Sequence, residues 1–381
     1  MKKILVVDDS ALMRKVICDI INADSNFEAK DVCRDGLEAY EKLKTTSYDG
    51  VVLDVNMPRM DGLQLLEKLQ EDHIKANVIM VSTLTTKDAE ITMMALERGA
   101  IDFVTKPTNV IEAKGEEFSN RLLSVLSAVL RISHTPKAPV AAINRPAATR
   151  RTVADRNVNR TNEIKPSHSV MNIQRMKPAN ITRLKATGKN KLVALACSTG
   201  GPKALQDVIP FLDANLDAPV VLVQHMPKGF TKSMADRLNE ISKVHVKEAE
   251  DGEKLQKGWV YVAPGGKHIE VAKNPDGSHR IQFNDMPAIG GLKPCANIMY
   301  DSLSKTGYDE IVCVVLTGMG ADGTNGILSL VQHKPIHVIS QSEDTCVVYG
   351  MPRAIAESGV VDEVVPLKDV AKTITKNVGV N

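Results

Sequence analysis

Two α/β domains, each built on a mainly parallel sheet, are expected from this 381-residue chain. Three observations predict them. Apolar runs of strand length alternate with helix-length amphipathic segments in residues 1–130, and again from Lys191 to the end. That alternation is what a parallel sheet covered by helices on both faces produces. Between the two stretches, residues 131–190 show no lasting hydrophobic period, so they are read as a basic linker that is disordered or loosely docked.

In the first stretch the strand-like runs are Ile4–Val7, Val51–Leu53, Val78–Val81 and Phe103–Val104, with helical patterns over Leu12–Ile21 and Gly62–Leu69. A five-stranded doubly wound sheet fits that length. In the second stretch Leu192–Cys197, Pro219–Val223, Trp259–Val262, Ile311–Leu316 and Ile336–Ile339 read as strands. Ala204–Phe211, Lys232–Ile241, Ala296–Leu303 and Asn325–Val331 read as helices. A small antiparallel, hairpin-like insert is expected near 258–284.

Composition narrows the class. Hydrophobic residues make up 43% and charged residues 25%, the proportions of a globular chain, and aromatics only 3%. The cores must therefore rest on Val, Ile, Leu, Ala and Met. A net charge of +2 gives no argument for nucleic acid over the whole molecule. The six cysteines (Cys18, Cys33, Cys197, Cys295, Cys313, Cys346) form no C-x-x-C pair and no zinc spacing. They read as reduced core residues, which favours a reducing compartment. The apolar run Ile4–Val7 is stopped at once by Asp8 and Asp9, too short for a signal peptide or a membrane span. A cytoplasmic location is the expectation.

Asp8 and Asp9 end the first strand and Asp54 ends the third. In a parallel sheet these ends share one rim. Three carboxylates there repel unless a divalent cation neutralises them, and oxygen ligands suit Mg2+. Lys106 ends the fifth strand, placed to pair with a phosphate, and Ser82 ends the fourth. Singly, Asp8 and Asp9 are loop-capping acids and Lys106 a solvated lysine. As a set with D-x-x-M-P-x-M-D-G around Asp54, Phe103 and Lys106-Pro107, they resemble response-regulator receiver domains over about residues 1–120. The resemblance implies Asp54 as phosphoacceptor, Asp8, Asp9 and Asp54 with the Asn56 carbonyl as Mg2+ ligands, and Ser82, Phe103 and Lys106 as switch residues. It also implies a histidine kinase as phosphodonor.

In the second domain a buried strand runs into Ser198-Thr199-Gly200-Gly201-Pro202. Glycines permit a sharp turn, and a helix start offers free N–H groups. This is the logic of a nucleophile elbow without the G-x-S-x-G pattern; read locally, the turn is equally a phosphate cradle. His225 follows the next strand, and Asp322 lies in the glycine-rich loop after a later one. Ser, His and Asp on one rim make a convergent triad.

These residues are similar to chemotaxis protein-glutamate methylesterases (the CheB family) over about 191–370, through S-T-G-G-P at 198, Q-H-M-P-x-G-F at 224, E-A-E-D-G-E at 248, V-A-P-G-G-K-H at 262, L-T-G-M-G-A-D-G at 316 and C-V-V-Y-G-M-P-R-A-I at 346. The resemblance implies Ser198 as nucleophile, His225 as base and Asp322 as its orienter, with the Met319 backbone N–H as oxyanion donor and Thr199 lining the site. Cys197 stands where the family commonly has Ala, and Asn56 where it often has Glu.

The implied activity is phosphorylation-activated hydrolysis of γ-glutamyl methyl esters on chemoreceptor cytoplasmic helices, with deamidation of receptor glutamines beside it and no cofactor for the ester step. Two other readings remain: a dedicated protein-glutamine deamidase, and a non-enzymatic response regulator whose C-terminal half only binds. In the second, the thirteen Lys and Arg residues between 134 and 191 would contact nucleic acid, but no reader motif is present and nucleic acid is not an expected partner.

Overall fold

The computed structural model describes residues 1–107, 109, 112, 115–132, 183–186 and 188–380. Its N-terminal half runs β1 (Lys2–Val7), α1 (Ala11–Ala23), β2 (Phe27–Cys33), α2 (Gly36–Thr45), β3 (Gly50–Asp54), α3 (Gly62–Glu71), β4 (Val78–Ser82), α4 (Thr86–Glu97), β5 (Asp102–Thr105) and α5 (Glu116–Val129). The five strands pair in parallel in the order β2-β1-β3-β4-β5.

The helices start where the sequence supplies an oxygen for the free N–H groups of the first turn. Ser10 accepts from Met13 N–H, Asp35 from Glu38 N–H and Thr85 from Asp88 N–H. Asp61 and Gln64 form a reciprocal capping box. Alternate strand residues divide between two cores. Leu5, Val7, Val51 and Leu53 pack on the side of Leu65, Leu69 and Met93, while Ile4, Val6, Val52 and Ile79 pack on the side of Ile17, Leu122 and Leu126.

The second half runs β6 (Lys191–Cys197), α6 (Gly201–Gln206), β7 (Val220–Gln224), α7 (Phe230–Ile241), β8 (His245–Glu248), β9 (Trp259–Val262), β10 (His268–Lys273), β11 (His279–Asn284), α8 (Ala296–Ser302), β12 (Glu310–Val315), α9 (Thr324–Leu330), β13 (Ile336–Gln341), α10 (Met351–Glu357), β14 (Glu363–Val365) and α11 (Leu367–Val378). Seven strands form a parallel sheet in the order β14-β13-β12-β6-β7-β9-β8. β6 is central, and Leu192 to Cys197 are fully buried.

The expected fold class holds, with local differences. The antiparallel insert is narrower than 258–284: β10 and β11 alone form the hairpin, and Trp259–Val262 joins the main sheet between β7 and β8. Most of the linker 131–190 lies outside the described residues. At its end, however, Arg183 donates to both carboxylate oxygens of Asp362 at 2.5 and 2.6 Å, so that residue is anchored to the C-terminal half. Among the described residues no helix is long and apolar enough to cross a membrane.

The two halves belong to one compact unit. Phe103 on β5 stacks on Phe230 at the start of α7, with ring centroids 4.6 Å apart and planes 17° from parallel. Both rings are buried. Arg237 on α7 grips the Glu97 carboxylate of α4 with two hydrogen bonds, at 2.5 and 3.1 Å.

Candidate active site and acidic cluster

Strand register brings the candidate triad together. Cys197 at the end of β6 pairs with Gln224 at the end of β7, and His225 N–H donates to Cys197 O at 3.2 Å. Ser198 and His225 therefore leave neighbouring strand ends, about 4.8 Å apart in the sheet's hydrogen-bonding direction. On the other side of β6, Ser198 N–H donates to Thr317 O at 3.0 Å, which fixes the loop carrying Asp322. His225 Nε2 lies 2.8 Å from Asp322 Oδ2, and both side chains are buried. Ser198 is also buried. Among the described residues, Ser198 Oγ makes no hydrogen bond to the His225 ring; such bonds commonly tighten only when substrate is bound.

The Asp322 carboxylate is crowded by donors. Ala296 N–H reaches Oδ2 at 2.6 Å, while Asn297 N–H, Gly323 N–H and the Cys295 thiol reach Oδ1 at 3.1, 2.9 and 3.1 Å. Burial opposes its charge, but these donors and His225 overcome that and hold the carboxyl at about 2. It stays ionised at any pH where the protein works.

The elbow is shaped by its glycines. Gly200 has φ of +74°, and a Cβ there would lie 2.6 Å from Val347 Cβ. Gly318 accepts Gly350 N–H and Met351 N–H on one carbonyl, at 3.1 and 2.8 Å, which sets the path into Met319. A Cβ on Gly318 would stand 2.4 Å from Met351 Sδ and 2.9 Å from Ser198 Cβ. Gly318→Ala is expected to destabilise the protein by about 1–3 kcal/mol through overpacking. A fall in Tm measured by calorimetry checks it, and an unchanged Tm overturns it. Met319 is half-buried. Thr199 is buried, and its carbonyl accepts the Thr317 hydroxyl at 3.0 Å.

In the N-terminal half, ligand oxygens of Asp8, Asp9 and Asp54 lie within 4.8 Å of one another. Lys106 Nζ stands 2.8 Å from both Asp8 Oδ2 and Asp54 Oδ2. Both carboxylates thus share one ammonium group in a buried cluster. Burial and the neighbouring Asp8 charge push the Asp54 carboxyl up to about 6, against the pull of Lys106. The Asn56 side chain turns away and donates to Asp88 Oδ1 on α4 at 2.7 Å. Ser82 Oγ accepts the Thr92 hydroxyl at 2.8 Å, so it faces α4 as well.

Comparison with known proteins decides the family. The CheB methylesterase family matches residues 193–374, and the response regulator receiver domain family matches 4–114. A protein-glutamate methylesterase/protein-glutamine glutaminase of Geobacillus kaustophilus is 38% identical over 379 residues, covering 99% of both chains. The chain belongs to the CheB methylesterase family. Another member from Bacillus subtilis is 41% identical over 376 residues, 98% of each chain. The crystal structure of the Thermotoga maritima CheB methylesterase catalytic domain is 38% identical, covering 50% of this chain and all of that one, with a TM-score of 0.48.

Sequence reasoning missed supporting residues of this CheB-family site. The Gln224 amide donates to Ser198 O and His225 O at 3.0 and 3.2 Å and accepts the Cys197 thiol at 3.0 Å, tying both strand ends together. Cys197, where an alanine is common, therefore fits by bonding an amide oxygen that the elbow already uses. Cys295 looked like an ordinary core cysteine. His268, which follows Gly265-Gly266-Lys267, is buried between Pro287 O and Cys295 N–H, at 3.1 Å from each, and braces the start of α8.

Proposed function

We infer that this chain is a protein-glutamate methylesterase and protein-glutamine glutaminase, a carboxylic ester hydrolase whose substrates are γ-glutamyl methyl esters on the cytoplasmic helices of chemoreceptors. The observation that carries the reading is the buried His225–Asp322 contact beside Ser198, at the ends of three adjacent strands. With Nε2–H donated to Asp322, the neutral imidazole has Nδ1 free as an acceptor. His225 Nδ1 takes the proton as Ser198 Oγ attacks the ester carbonyl. The oxyanion is held by backbone N–H groups, Met319 first, with Thr199 lining the site. His225 then protonates departing methanol, and water hydrolyses the acyl-enzyme by the same route. A glutamine side chain reacts alike and expels ammonia. The ester step calls on no cofactor. Methanol release from a methylated receptor, and ammonia release from a glutamine-bearing one, test the reading together; absence of both sinks it.

Control belongs to the N-terminal half. A histidine kinase supplies the phosphoryl group, and Asp54 receives it. Asp8, Asp9, Asp54 and the Asn56 carbonyl would hold Mg2+, for which the converging carboxylate oxygens are suited. The ion, when bound, neutralises charge on the phosphoryl oxygens. Lys106 pairs with the phosphate, while Ser82 and Phe103 carry the change to the face that packs on α7. Before phosphorylation that face restrains the esterase half, through the Phe103–Phe230 stack and the Arg237–Glu97 pair. Location in the cytoplasm follows from these partners.

Asp54→Asn is expected to abolish activation by a small-molecule phosphodonor while keeping basal turnover. Methanol release with and without phosphodonor measures this, and equal activation of the variant and the wild type refutes the route through Asp54.

A further inference from the structure

Asp322 turns Oδ2 to the His225 ring, and the hold on its other oxygen sets the angle at which it does so. Three donors meet Oδ1. Gly323 N–H belongs to the next peptide along the chain and travels with Asp322. Asn297 N–H and the Cys295 thiol, each at 3.1 Å, come from a separate segment. Burial, with the Asp322 charge beside it, pushes the Cys295 thiol up to about 12, so it stays protonated and donates. The segment is also tied to the loop it grips, because Asn297 Oδ1 accepts Gly323 N–H and Gly326 N–H at 3.1 and 2.8 Å.

Cys295 is held in turn by a histidine. His268, the first residue of β10, is fully buried. Its Nδ1 accepts Cys295 N–H at 3.1 Å, which places the ring proton on Nε2, 3.1 Å from Pro287 O. Both ring nitrogens are matched, so one neutral tautomer is held in one orientation. A row of contacts thus runs from His268 through Cys295 and Asp322 to His225. Packing alone calls for no donor at Cys295, since a methyl group fills much of the same space. What a methyl group lacks is the hydrogen that occupies Oδ1. We propose that the Cys295 thiol, backed by His268, is a positioning residue for the hydrolysis: it fixes the rotation of the Asp322 carboxylate, so that Oδ2 stays aimed at the His225 ring as that ring takes the serine proton. The inference rests on the reading of Ser198, His225 and Asp322 as the triad.

The test compares Cys295→Ala with Cys295→Ser in the full-length protein, acting on a methylated receptor with phosphodonor present throughout. Both variants lose the sulfur, so lost packing affects them alike, and only serine restores a donor. In Cys295→Ala, kcat for methanol release is expected to fall about tenfold with KM within about twofold of wild type. Cys295→Ser is expected to keep kcat within about threefold of wild type. The proton on His225 Nε2, followed by NMR, should give a signal that broadens in the alanine variant and persists in the serine variant. A change confined to stability does not move that signal. Wild-type kcat in Cys295→Ala, or an equal loss in Cys295→Ser, overturns the proposal. Turnover retained in Ser198→Ala overturns instead the triad reading beneath it. Should Cys295→Ala not fold, His268→Leu, which leaves Cys295 N–H without its acceptor, is expected to lose kcat about tenfold, while His268→Asn, which offers an oxygen near the place of Nδ1, recovers most of it. Equal kcat in those two variants overturns the proposal as well.

Discussion

Ser198→Ala is expected to lower methanol release from a methylated receptor by at least about 10⁴-fold, because it removes the proposed nucleophile. The loss falls on kcat rather than on substrate affinity, since the deleted atom acts in the bond-making step and not in docking. Little else changes. The Ser198 contacts that hold the elbow run through its backbone, to Thr317 O, Gly201 N–H and the Gln224 amide. The variant therefore keeps its fold, with a stability within about 0.5 kcal/mol of wild type. Methanol assayed under single-turnover conditions beside a thermal melt separates the two effects. Residual turnover within tenfold of wild type removes Ser198 from the role of nucleophile.

The second large effect is expected at Asp322. Asp322→Asn keeps the shape but places an NH2 group where a carboxylate oxygen now receives N–H or S–H donors. The His225 ring loses the acceptor that fixes its tautomer, and kcat should fall by about 10³–10⁴. Stability falls too, in a pH-dependent way. An ordinary aspartate titrates near 3.9 in an unfolded chain, and Asp322 sits at about 2 in the fold. Its charge therefore contributes about 2–3 kcal/mol that is fully present above pH 5 and lost as pH falls toward 2. The gap in Tm between variant and wild type should be wide at pH 6 and close progressively below pH 4. A gap that does not change over that range contradicts the account of how Asp322 is held. The same value means that an acid limb in the activity profile above pH 4 belongs to another group.

Much of this was legible in the sequence because the informative residues stand at strand ends. Asp8, Asp54, Ser198 and His225 each follow an apolar run that could only be a buried strand, and a parallel sheet gathers such ends on one rim. The elements that escaped were those whose apolar pattern is broken. β2, Phe-Glu-Ala-Lys-Asp-Val-Cys, is an edge strand in which only Phe27 and Cys33 are buried. β8 and β14 are the two edges of the larger sheet, and each is short. Edge strands need no continuous apolar run, so periodicity is silent on them. The supports of the triad escaped for another reason. Cys295 meets the Asp322 carboxylate and Gln224 meets Cys197 and Ser198, partners more than twenty residues away, and nothing in their local sequence says which carbonyl, thiol or carboxylate they will meet.

β6 lies fourth of seven strands, with pairing on both sides and helices on both faces. The Ser198 hydroxyl is consequently attached to the most deeply tethered strand of its domain, and local fraying at the edges, β14 or β8, leaves the geometry around it intact. On heating, this enzyme should remain competent until its central sheet gives way as a whole. Partial melting at the periphery would alter how it is controlled well before it altered what it can cleave.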